Sequence, residues 1–108
     1  MSGEKNPKLA GLEHSLIQFL TSKKEVDEKV AGGHRRVRGL SIGLDLRNPK
    51  KPLITVQIGM CEAAFNVKNG LKERGNCFNL ERFVRDWFER PTVSAAIEKF
   101  VQEAKDNM

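Results

Sequence analysis

Tyrosine is absent from this 108-residue chain, tryptophan occurs once and cysteine twice. Aromatic residues make up only 6% of it, so a core has to be mainly aliphatic, with a few Phe side chains and Trp87 as anchors. Cys61 and Cys77 match neither a CxxC pair nor a multi-cysteine framework, and are expected to be idle thiols in a reducing compartment. No apolar run approaches the ~20 residues that cross a bilayer. The opening MSGEKNPK lacks the apolar stretch of a secretory signal. A cytoplasmic protein without a membrane partner is the expectation.

Catalytic motifs are missing as well. His14 falls in a helical segment and His34 in a basic stretch, with no carboxylate spaced to orient either. Ser15, Ser22, Ser41 and Ser94 lack a nucleophile-elbow context. Gly70-Leu-Lys-Glu-Arg-Gly75 has two glycines but no following Lys-Ser/Thr, so it is no phosphate loop. Cys61, Cys77, His14 and His34 lack metal-ligand spacing. These absences point away from an enzyme, a cofactor or a metal.

What the chain does have is a clear scaffold between Val37 and Met60. Leu40, Ile42, Leu44 and Leu46 alternate with small or polar residues, as do Ile54, Val56, Ile58 and Met60. A period of two is that of strands with one buried face. The short Asn-Pro-Lys-Lys-Pro break between them makes an antiparallel pair, with Arg38 and the preceding residues leading into the first strand. After a reversal near Cys61-Glu62, Ala63, Phe65 and Val67 suggest a third strand. Asn69-Gly70 is a hairpin signal that allows a fourth over residues 71–74. The composition of residues 62–74 also allows a helix.

Helical spacing flanks this region. Leu9, Leu12, Leu16, Phe19 and Leu20 form a stripe from Lys8 onward, continued by Val26 and Val30. The spacing predicts one helix to about Val30, or two divided near Thr21-Ser22, ended by Gly32-Gly33. Asn79 is the expected N-cap of a helix carrying Leu80, Phe83, Val84, Trp87 and Phe88, stopped by Pro91. A last helix over residues 92–105 carries Val93, Ile97, Phe100, Val101 and Ala104. The reading is a flexible N-terminus over residues 1–7 and a single α+β domain over 8–106. That domain has an N-terminal amphipathic helix, an antiparallel meander of three or four strands, and two C-terminal helices packed on the meander's apolar face.

The formal charge of +5 is concentrated. Residues 32–77 carry nine Lys/Arg against three Asp/Glu, while residues 1–31 balance at five each and residues 78–108 carry five against six. A localised excess favours an anionic partner, because neighbouring charges sum into one field. In a meander, Arg47, Lys50 and Lys51 of one loop lie beside Lys68, Lys72 and Arg74 of the next. These six are the expected contacts to a nucleic-acid backbone, DNA or RNA, with Arg35, Arg36 and Arg38 in support. The opposite sheet face presents Gly39, Ser41, Gly43, Asp45, Thr55, Gln57 and Gly59. Its glycines let a partner approach closely, so a homodimer through that face or through the first helix is the alternative. The order helix, three strands, helix is similar to double-stranded-RNA-binding domains. The chain departs from them at Asn79-Leu-Glu-Arg-Phe, which lacks their paired lysines. The order long helix, short sheet, two helices is similar to small dimeric nucleoid-associated proteins of bacteria. No motif carries either likeness.

Overall fold

The computed structural model describes residues 7–30 and 32–106, with the side chains of Pro7 and Lys8 left aside. The flexible segment expected over residues 1–7 thus lies outside the described residues, except for Pro7, which opens the first helix. Five helices and four strands follow in the order α1 (Pro7–Thr21), α2 (Lys24–Lys29), α3 (Gly33–Val37), β1 (Ser41–Asp45), β2 (Leu53–Ile58), β3 (Cys61–Asn66), β4 (Lys72–Gly75), α4 (Phe78–Phe88) and α5 (Pro91–Asp106). The class is α+β, as the sequence pattern implies. The strands pair antiparallel in the order β1-β2-β3-β4. Ile42 faces Val56, and Val56 faces Ala63.

The alternation of the strands is what divides the sheet into two faces. Ile42, Ile54, Val56, Ile58, Ala63 and Phe65 are buried on one side, against helical residues such as Leu16, Leu20, Leu80, Val84, Trp87 and Ile97. Trp87 is fully buried, and its indole N–H donates to Ser15 Oγ at 3.1 Å, joining α4 to α1. Phe65 and Phe88 stack with ring centroids 6.1 Å apart, joining the sheet to α4.

Of the two alternatives for the first helical segment, the break near Thr21-Ser22 holds: the Ser22 hydroxyl donates to Phe19 O at 2.6 Å and Lys23 takes an extended conformation. A hydroxyl that bonds back to the preceding turn competes with helix continuation. Other local expectations are corrected. Residues His34 to Val37 do not lead straight into a strand but form the short α3. It starts after Gly32, whose φ of 83° suits glycine, and Asp27 Oδ1 accepts the His34 amide at 2.8 Å. The reversal after β2 falls at Gly59-Met60 and not at Cys61-Glu62, because Gly59 adopts a φ of 58°. Met60 therefore leaves the buried row and is 88% exposed. The helical alternative for residues 62–74 gives way to β3, a turn and β4. Asn66 and Asn69 side chains accept the Lys68 and Leu71 amides and shape that turn. Asn79 is not the N-cap of α4. Cys77 occupies that place, its amide donating to Glu81 Oε2 at 3.1 Å, while Asn79 Nδ2 donates to Lys29 O.

Candidate functional site

The two basic loops do meet. Asp45 lies opposite Leu53, which lies opposite Asn66, and just beyond them the Val67 amide donates to Pro52 O at 3.0 Å. The β1–β2 loop with Arg47, Lys50 and Lys51 therefore sits against the β3–β4 turn with Lys68. Their charges, however, are largely matched. Arg47 donates through Nη2 to Asp45 Oδ2 at 2.7 Å and through Nε to Oδ1 at 3.1 Å. These bonds, together with the Arg47 amide on the same carboxylate, hold the Asp45 carboxyl down from its ordinary 3.8 to about 2. Lys51 Nζ meets Glu73 at 2.6 Å and lowers its pKa as well. Arg74 Nε lies 3.3 Å from Glu62. Lys72 meets Glu81 of α4 at 2.5 Å, on the helix side of the sheet.

Four of the six loop cations thus have a carboxylate partner, and Lys50 and Lys68 are exposed without one among the described residues. Apart from Lys72–Glu81, whose carboxylate is buried, these are surface pairs that contribute little to stability. Their effect here is on the field: neighbouring opposite charges cancel beyond a few ångströms, so the summed attraction for a polyanion shrinks.

The open sheet face is also more occupied than its sequence suggests. Gly39 precedes β1 and Gly59 lies in a turn, so Gly43 is the remaining strand glycine on that face. It permits close contact with its neighbour: a Cβ there would lie 2.8 Å from Thr55 Oγ1. Gly43, Thr55, Ala64 and Arg74 form one row across the four strands. Arg74 borders two shallow troughs of about 320 and 310 Å³, one toward Ser41 and Gln57, the other toward Asp45 and Lys51. The Arg74–Glu62 and Lys51–Glu73 pairs border these troughs, and Ala64 in the same row is fully buried.

The opposite end of the sheet holds a different surface. Arg35, Arg36 and Arg38 belong to α3 and its C-terminus, and Arg35 and Arg38 are exposed with no carboxylate partner among the described residues. The Arg36 guanidinium lies against the β2–β3 turn, where a Cβ on Gly59 would sit 2.9 Å from its Nε. His34 is used in fixing α3, with Nδ1 3.2 Å from Asp27 Oδ2 and Nε2 2.9 Å from Lys23 O.

Next to that turn, Cys61 and Cys77 form a disulfide, which overturns the expectation of idle thiols. The sheet carries the start of β3 and the end of β4 to the same pole, a closeness that a separation of 16 residues conceals. Asn76 reinforces the junction, with Oδ1 accepting the Glu62 amide at 2.8 Å and Nδ2 donating to Met60 O at 2.9 Å. Just outside the bridge, Met60 and Phe78 are 88% and 72% exposed. Sequence reading missed both. Phe78 carried a signal, since helical spacing places it above Arg82 and Arg85 and off the stripe of Leu80, Val84 and Trp87.

A groove of about 450 Å³ between α1 and α5, bordered by Gly11, Leu12, Val93 and Phe100, involves none of the expected contacts. Among the described residues no group of three or more His, Cys, Asp or Glu could hold a metal ion, and no helix is long and apolar enough to cross a membrane. No family model matches the chain, and no curated protein or solved structure matches it significantly.

Proposed function

We propose that this protein is a small non-enzymatic module that binds a phosphate-bearing polyanion, and that α3 rather than the sheet loops makes the main contacts. The observation that carries the reading is the contrast in pairing. Arg47, Lys51, Lys72 and Arg74 each have a carboxylate within 3.3 Å, whereas Arg35 and Arg38 stand exposed without one among the described residues. Arginine suits the task because its planar fork donates two parallel hydrogen bonds to one phosphate. Lys50 and Lys68, at the far end of the sheet, add to the field and stay outside the contact. A homodimer draws less support, because Leu12, Leu16 and Leu20 of α1 are buried within the chain and the open sheet face is bordered by charged pairs. The disulfide favours an oxidising compartment over the cytoplasm.

The test is retention on a phosphate-bearing probe, a single- or double-stranded oligonucleotide, as salt is raised. Two or three phosphate contacts give a log–log slope of about −2 to −3. Arg35→Glu with Arg38→Glu abolishes retention, and Lys50→Glu with Lys68→Glu leaves most of it. Retention indifferent to salt, or lost only in the lysine pair, would sink the reading.

A further inference from the structure

We infer that the pole carrying Met60 and Phe78 docks the protein onto an anionic phospholipid surface, an inference that rests on the phosphate-binding reading of the neighbouring arginines. Met60 and Phe78 are the most exposed large apolar side chains among the described residues. A single exposed hydrophobic residue is ordinary. Here the two are held together, because the disulfide joins the residue after Met60 to the residue before Phe78 with 5.6 Å between its Cα atoms. Asn76 then fixes the Met60 carbonyl from the same strand end. Two apolar side chains on a stapled base lose little conformational freedom when they enter another phase.

Shape separates the candidate partners. Met60 stands at the apex of a two-residue turn and Phe78 at the first turn of α4, so both project outward. A protein partner would need a pocket cut for each projection, whereas the headgroup and acyl boundary of a bilayer yields around any apolar protrusion. A polynucleotide offers Phe78 a base to stack on but gives Met60 nothing.

The charges complete the match. Arg36 lies against Gly59, the residue before Met60, with Arg35 beside it in α3 and Arg38 at the helix's C-cap. Arg82, one turn after Phe78, borders a shallow cleft of about 130 Å³ with it. Basic residues beside an inserted apolar tip draw it toward anionic headgroups, while the tip supplies the part of the affinity that salt does not screen.

The experiment sediments the full oxidised chain with phosphatidylcholine vesicles containing phosphatidylglycerol, with pure phosphatidylcholine vesicles, and measures oligonucleotide binding alongside. The wild type is expected on the anionic vesicles and scarcely on the neutral ones. Met60→Ser with Phe78→Ser lowers vesicle partitioning about tenfold or more and leaves oligonucleotide binding as in wild type. Arg35→Glu with Arg38→Glu lowers both. Both pairs are exposed, so the fold is kept, and an unchanged circular dichroism spectrum verifies it. Oligonucleotide binding without vesicle binding, or equal partitioning of the Met60/Phe78 variant, overturns the lipid inference and leaves the phosphate reading standing. A wild-type mass of two chains that falls to one in the Met60/Phe78 variant also overturns it, with a second copy on the tip. Binding to neither probe removes both.

Discussion

The carboxylate of Glu13, buried on α1, accepts the backbone amide of Ile42 at 2.8 Å. β1 is an edge strand, so this amide points away from β2 and toward the helix. A side chain 29 positions away thus meets a donor that the sheet itself leaves unmet. Glu13→Ala should cost about 1–3 kcal/mol in urea unfolding, and Glu13→Gln, which keeps an acceptor oxygen, should restore most of it. An alanine variant as stable as wild type would remove Glu13 from the account of how α1 is seated.

The disulfide closes a loop spanning a separation of 16 residues. Restricting an unfolded loop of that size stabilises the native state by about 3 kcal/mol in the chain-entropy model. Replacing Cys61 and Cys77 together by Ala should lower the urea midpoint accordingly. Cys61 and Cys77 are only partly buried against the core that holds Trp87 and Ile54, so that core is expected to survive their replacement. Thiol titration of the denatured, unreduced protein should find none free. Two titrating thiols would contradict the bridge.

Asp45 gives a pH signature. Its carboxyl titrates at about 2 in the folded protein against an ordinary 3.8, chiefly because the Arg47 side chain hydrogen-bonds it, with a smaller pull from Arg74. A depressed folded-state pKa means that the unfolded chain takes up the proton first as pH falls. The contribution is complete above about pH 4 and fades as pH drops through 3.8 toward 2. A carboxyl-carbon NMR titration should show the low midpoint, and Arg47→Ala should return it toward the ordinary value. A wild-type midpoint near 4 would mean that the Arg47–Asp45 pair does not persist in solution.

The alternation at Ile42, Ile54, Val56 and Phe65 made the sheet legible, since a period of two admits one buried face. The positions of Lys51 and Arg74 followed from the meander. Their partners did not. Glu62 is 12 residues from Arg74, and Glu73 is 22 from Lys51, distances that carry no local pattern. The shift of Met60 from an inward row to a turn apex likewise hinged on one backbone angle, the positive φ at Gly59.

By itself the sequence determined most of the side chains that leave water and where the charge excess lay, because both are properties of order along the chain. Only the tertiary structure decided which of those charges stay unmatched, that two cysteines meet, and that Met60 and Phe78 stand together at one pole. Those outcomes depend on distances across strands and helices, and a chain records such distances only after it has folded back on itself.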